Sequence, residues 1–218
     1  MIKNKLILFI FCYALGGQAA PSLEAVLAKS MPSVATLLAE GPRGPIHGTA
    51  FVVDKKGLLL TSYHLLKDAV RITLTLKDAE PTEAKVVGFD TTLDLALLEI
   101  HPPSPLTPLP WAEEKSMAVG SWVLAIGNPY GLGLTPTVGI LGATHRKMPE
   151  HENQGAHYLQ TDAAMHLGSS GGPLLNTRGE VLGVLTFIFS TTPYSRGLGF
   201  ALSGAQAQKV LKNMRTFG

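Results

Sequence analysis

Apolar residues fall in short runs along most of the chain, and Gly, Pro, Asp or Asn interrupts them at close intervals. In "RITLTLKD", Ile72, Leu74 and Leu76 alternate with Thr73 and Thr75, a period of two that predicts a half-buried strand. The same reading predicts strands at Val34 to Leu38, Thr49 to Val53, Leu58 to Thr61, Ile72 to Leu76, Ala84 to Val87 and Leu95 to Ile100. A second set is predicted at Trp122 to Ile126, Thr137 to Leu141, Tyr158 to Gln160, Val181 to Phe189 and Gly199 to Leu202. Between the sets, "HPPSPLTPLP" from His101 to Pro110 breaks all regular structure and reads as a linker. Helical spacing occurs only at the ends. Leu23, Val26 and Leu27 share one face, with Ser22 as cap and Pro32 as stop, and Ala207, Val210, Leu211 and Met214 share another after Ser203.

Composition narrows this to an all-β protein, because 23 Gly and 15 Pro accompany only 16% charged residues. The first twenty residues differ in kind: Lys3 and Lys5 precede an apolar stretch from Leu6 to Leu15, followed by the small residues Gly17, Ala19 and Ala20. That is the pattern of a secretory signal peptide, and the apolar stretch is too short to span a bilayer. Residues 1–20 are therefore expected to be removed, with residues 21–105 forming the N-terminal segment and first half and 106–218 the second half and terminal helix. Cleavage takes away two lysines and no acid, which leaves the 16 acidic side chains matched by as many basic ones. A nucleic-acid partner is not expected at zero net charge. The single cysteine, Cys12, lies inside the leader, so no disulfide holds the mature chain and its stability rests on core burial.

Chemistry gathers in "TDAAMHLGSSGGPLL", Thr161 to Leu175, where two serines sit between glycines. Ordinary turns have this composition too. The Gly-x-Ser-x-Gly pattern occurs in unrelated hydrolases, and the order of the partners separates them. No His or Asp follows Ser170, and Glu180 is the only later acid, which excludes the order of an α/β-hydrolase. An upstream base remains. His64 ends the apolar run of "LLLTSYHLL", and Asp94 stands at the mouth of another in "TTLDLALLEI". Taken singly, His64 reads more readily as a structural histidine, and Asp94 reads equally as a strand-start cap. In the order His64, Asp94, Ser170 they match the two-barrel serine proteases.

At these residues the chain resembles the HtrA/Deg family of trypsin-like serine proteases. The likeness runs through "PSLEAVLAKSMPSV", "LLLTSYHLL", "KVVGFDTTLDLALLEI", "VLAIGNPYGLG", "LQTDAA", "SSGGPLLNTRGEVLGV" and "GLGFAL". It implies two six-stranded β-barrels of the chymotrypsin/trypsin-like type, with a short helix before them and one after. It also implies His64 as general base, Asp94 as its orienting acid and Ser170 as nucleophile. Ser170 is preferred to Ser169 because the family places the nucleophile directly before Gly-Gly-Pro, here Gly171, Gly172 and Pro173. The oxyanion hole falls at Gly168, Ser169 and Ser170, and the chemistry needs no metal or cofactor. Substrate-binding positions are Ala164, six before the nucleophile where a trypsin-like enzyme carries an acid, together with Thr186, Phe187, Ile188, Phe189 and the segment Gly197 to Phe200. An apolar pocket and cleavage after Val, Ala or Ile are expected.

The resemblance has departures. Where the family usually reads Asn-Pro-Gly-Asn before the nucleophile, this chain reads His166, Leu167, Gly168, Ser169, so a more mobile oxyanion loop is expected, with His166 as a loop residue and not a second base. No PDZ domain is expected after the terminal helix. By resemblance the partners are unfolded or extended polypeptides, and the place is the periplasm, reached across the inner membrane without a lasting membrane anchor. The segment Pro21 to Val34 is similar to the one through which relatives assemble, which implies a homotrimer; the alternative is a helix packed on its own barrel. The function implied is endopeptidase work in envelope protein quality control. The rival is a catalytically weak relative that binds unfolded chains as a chaperone.

Overall fold

Thirteen strands and two α-helices make up most of the computed structural model, which describes residues 21–148, 155–188 and 198–217. The expected signal peptide at residues 1–20 lies outside them. In the first half, β1 (Val34–Gly41) pairs antiparallel with β2 (Gly44–Val52) on one side and β4 (Arg71–Leu76) on the other. β3 (Leu58–Ser62) bridges β2 to β7 (Leu95–Glu99). The sheet ends in β5 (Thr82–Glu83) beside β4 and β6 (Lys85–Asp90) beside β7. Only Ala84 separates β5 from β6 in the chain, and its N–H donates to the Ile72 carbonyl at 2.9 Å. One run from Thr82 to Asp90 therefore pairs first with β4 and then with β7, joining the two edges of a barrel-like sheet. Counted as that single bent strand, the half has the six strands expected.

The second half closes fully. β8 (Trp122–Gly127), β9 (Thr135–Arg146), β10 (Tyr158–Thr161), β13 (Gly199–Ser203), β12 (Val181–Ile188) and β11 (Pro173–Asn176) form a closed barrel. β9 outruns its predicted span because its start pairs with β8 and its end, past bulges, with β10, so no single apolar alternation covers its length. β11 was not visible as a strand: it begins at Pro173 and is only four residues long. Residues 101–110 hold no regular element. Leu106 and Leu109 nevertheless donate backbone hydrogen bonds to Lys55 and Val52, which lays the segment along the first half.

Three apolar clusters result. One fills the first half around Leu37, Leu59, Leu74 and Leu98, and another fills the second around Leu141, Leu159, Leu174 and Leu185. A third is shared: Phe51, Leu60, Leu95 and Leu97 of the first half meet Leu124, Ile126, Tyr158 and Val184 of the second. Each fully buried Leu contributes about 2 kcal/mol relative to exposure. α1 (Leu23–Ser30), capped by the Ser22 hydroxyl accepting from the Ala25 N–H at 3.3 Å, buries Val26 and Ser30 beside Gly179 of the second half. α2 (Gly204–Phe217) buries Ala207, Val210 and Leu211, as its spacing predicts. Among the described residues no helix is long and apolar enough to cross a membrane.

Candidate active site

The apolar strand β3 ends at Ser62, and the chain turns at once into a 3-10 turn, Tyr63–Leu66, that carries His64. Asp94 comes from the turn before β7, whose bend is set by the Asp90 carboxylate accepting from the N–H groups of Thr92 and Leu93, each at 2.9 Å. Asp94 itself has φ 54°, a left-handed conformation that its short polar side chain tolerates. Three hydrogen bonds join the two turns. Tyr63 N–H donates to the Asp94 carbonyl at 3.1 Å, His64 N–H to Asp94 Oδ1 at 2.8 Å, and His64 Nδ1 lies 2.6 Å from Asp94 Oδ2. An ionised carboxylate only accepts, so a neutral imidazole in this place carries its proton on Nδ1 and presents the Nε2 lone pair. The imidazole is 46% exposed, and among the described residues Nε2 has no partner.

Ser170 sits in the loop between β10 and β11. Its hydroxyl donates to the carbonyl of Thr186 at 2.9 Å, and no hydrogen bond joins it to His64 among the described residues. The loop is tied on every side. Leu167 C=O accepts from Tyr130 N–H at 2.8 Å, Gly168 C=O from the Thr49 hydroxyl at 2.8 Å, Ser169 C=O from Gly172 N–H at 3.1 Å and Ser170 C=O from Thr49 N–H at 3.0 Å. Ser169 N–H donates to His166 C=O at 2.9 Å, while its own hydroxyl, 4% exposed with the residue, accepts from His166 N–H at 3.2 Å. The N–H groups of Gly168 and Ser170 have no acceptor among the described residues. A side chain at Gly168, with φ 97°, would overlap the Asn128 carbonyl, and one at Gly171, with φ 83°, would overlap the Thr49 carbonyl. His64 and Asp94 thus come from one half and the Ser170 loop from the other.

Comparison with known proteins matches residues 48–184 to the trypsin-like peptidase domain. The chain belongs to the trypsin-like peptidase family. Its relatives lie in the HtrA branch. A probable periplasmic serine endoprotease described as DegP-like, from Chlamydia trachomatis, is 39% identical over 176 residues, covering 81% of this chain and 35% of that protein. The periplasmic pH-dependent serine endoprotease DegQ of Escherichia coli is 34% identical over 224 residues, covering 91% of this chain and 49% of its own length. Among solved structures, the HtrA-type protease AlgW with a tripeptide superposes with a TM-score of 0.83 at 34% identity, covering 89% of this chain and 64% of that one. The chain spans about a third to a half of the curated relatives.

Within this trypsin-like peptidase the expected pocket residues are only partly described. Ala164 is exposed, with its carbonyl accepting from the Thr137 hydroxyl at 2.8 Å. Thr186 is buried, and its carbonyl holds Ser170. Phe187 and Ile188 belong to β12, opposite Phe200 and Gly199 in the ladder. Phe189 and Gly197 lie outside the described residues. Sequence reading missed Met165, which is 7% exposed and reaches the α-carbon of Gly199 so closely that a Cβ there would stand 2.6 Å from its sulfur. It also missed Thr49 and Asn128, both buried, which tie the Ser170 loop to the first half. Nothing in a lone Thr within an apolar strand announces such a role.

Proposed function

We propose that this trypsin-like peptidase domain hydrolyses peptide bonds in unfolded or damaged polypeptides in the periplasm, with His64, Asp94 and Ser170 as its triad. The observation that carries this is the double hydrogen bond between His64 and Asp94, set across the barrel interface from a serine loop whose Gly168 and Ser170 N–H groups meet no acceptor among the described residues. In the reaction, Ser170 Oγ leaves the Thr186 carbonyl by rotation about χ1 and gives its proton to His64 Nε2 as it attacks the substrate carbonyl. The developing oxyanion is received by the N–H groups of Gly168 and Ser170. Ser169, expected to share that task, has its N–H turned to His166 instead. The imidazolium, stabilised by Asp94, returns the proton to the leaving amine. Water then repeats the sequence to release the acyl group.

A second reading has its own support. The Ser170 hydroxyl bonds Thr186 and not His64, which is the arrangement of a latent site, and a latent domain acts on extended chains by binding alone. Incubation with a serine-directed fluorophosphonate and with denatured casein separates the two. The peptidase labels at Ser170 and cleaves, whereas a binding module does neither while retaining casein.

Export through residues 1–20 and assembly into a homotrimer through Pro21 to Val34 belong to the same proposal. Leu23 of α1, 37% exposed, is available to a neighbouring copy, although Val26 and Ser30 already pack on the chain's own second half. Sedimentation of the mature chain as a monomer only would remove the trimer.

A further inference from the structure

The geometry points to Thr49 as a positioning residue through which the barrel of the base sets the oxyanion donors of the other barrel. This inference rests on the reading of Ser170 as nucleophile and of the Gly168 and Ser170 N–H groups as oxyanion donors.

Thr49 lies on β2, fully buried, in the half that carries His64 and Asp94. Two of its three polar atoms act on the other half. Its N–H donates to Ser170 C=O at 3.0 Å, and its hydroxyl donates to Gly168 C=O at 2.8 Å while accepting from Asn128 N–H at 2.9 Å. Its remaining polar atom, the carbonyl, accepts from the Thr61 hydroxyl at 2.7 Å. Thr61 stands on β3 one residue before Ser62, where the strand gives way to the turn carrying His64.

Each donor N–H shares a peptide plane with the carbonyl before it. The plane of Gly168 N–H is held at Leu167 C=O by Tyr130, and that of Ser170 N–H at Ser169 C=O by Gly172. The planes on the far side of each donor residue are those of Gly168 C=O and Ser170 C=O; Thr49 holds both, and the Asn128 N–H that donates to its hydroxyl also reaches Gly168 C=O at the longer distance of 3.3 Å. Both donors are therefore gripped on two sides, and Thr49 makes the shorter bond of the second grip at Gly168 and the whole of it at Ser170. The grip matters most at Gly168, which has no Cβ to limit its rotation. Electrostatic stabilisation of an oxyanion depends on donors fixed before charge develops, so loosening this plane weakens the transition state more than substrate binding.

Thr49→Val removes the hydroxyl and keeps the shape and the backbone bond to Ser170. Losing a donor outright typically costs about 10²–10³ in kcat, and a loosened donor less, so kcat for a peptide ester is expected to fall by about tenfold to a hundredfold with KM unchanged. Affinity for a peptide boronate ending in boroValine, which places an oxygen in the oxyanion position, should fall by a similar factor. The midpoint of the pH–rate profile should not move, because the His64–Asp94 pair is untouched, and Thr49→Ser, which restores the hydroxyl, should recover activity to within about threefold of wild type. Thr49→Ala carries the same expectation if the valine does not fold. A folded Thr49→Val or Thr49→Ala protein with wild-type kcat and boronate affinity, changed only in melting temperature, overturns the inference while Ser170 of the wild type still labels with fluorophosphonate. Wild type and Ser170→Ala both failing to label would instead bring down the reading of the site itself, and this inference with it.

Discussion

Asp94 meets His64 through both of its carboxylate oxygens, Oδ2 to the ring at 2.6 Å and Oδ1 to the backbone N–H at 2.8 Å. The backbone bond decides what Asp94→Asn does. An asparagine there keeps its carbonyl oxygen on the His64 N–H and turns its NH₂ toward Nδ1, which forces the proton to Nε2 and removes the base. A loss of roughly four orders of magnitude in kcat is expected, the size known for this substitution in the trypsin-like triad. Steady-state kinetics on a peptide ester would show it, and near-normal turnover would take Asp94 out of the triad.

The paired serines should separate cleanly. Ser170→Ala is expected to lower turnover on the order of a millionfold and to abolish fluorophosphonate labelling. Ser169→Ala keeps the nucleophile but leaves His166 N–H without its acceptor, at a cost of about 1 kcal/mol and roughly tenfold or less in kcat. Kinetics and thermal unfolding of both variants check this, and a Ser169→Ala protein as dead as Ser170→Ala would contradict the assignment.

Met165 is expected to set the depth of the proposed specificity pocket, because its sulfur occupies the space a side chain on Gly199 would take. Wild type is expected to cleave after Val, Ala or Ile. Met165→Val should shift preference about tenfold toward Leu or Phe, for roughly 1 kcal/mol of stability. A peptide-library profile would read the shift, and a wild-type preference for Lys or Arg would refute the apolar pocket.

Burial, with the negative charge of Asp94 second, pushes the Tyr158 hydroxyl up to about 12. The unfolded chain releases that proton near pH 10, the folded one two units later, so between those values the unfolded state holds fewer protons and stability falls as pH rises. The loss from this group is about 2–3 kcal/mol, complete above pH 12 and absent below pH 10. Denaturant unfolding across that range should show a flatter decline in Tyr158→Phe. Equal slopes in the two proteins would count against it.

Strand positions were legible because most of these strands bury one face or both, which leaves an apolar run or an alternation even in a single sequence. β11 escaped because four residues beginning with proline carry neither signal. His64, Asp94 and the Ser170 loop were legible as residue types in order. The oxyanion ties were not: Thr49 and Gly168 are 119 residues apart and Thr49 and Asn128 are 79 apart, so only the docking of the halves brings them together. Nor does any local pattern tell that the Ser170 hydroxyl rests on Thr186, since that depends on a rotamer and not on residue order.

The apolar cluster shared by the two halves limits how such a site can be controlled. Phe51, Leu60 and Leu95 are covered by Leu124, Ile126 and Tyr158, so parting the halves like a hinge would wet all of them at once. Exposing even three such side chains costs about 5 kcal/mol or more, a sizeable share of what holds a small domain together. Domain opening is therefore a costly way to switch this molecule, whereas a rotation about χ1 of Ser170 uncovers none of these side chains. The halves should also melt as one body, in a single calorimetric transition that takes the site with it.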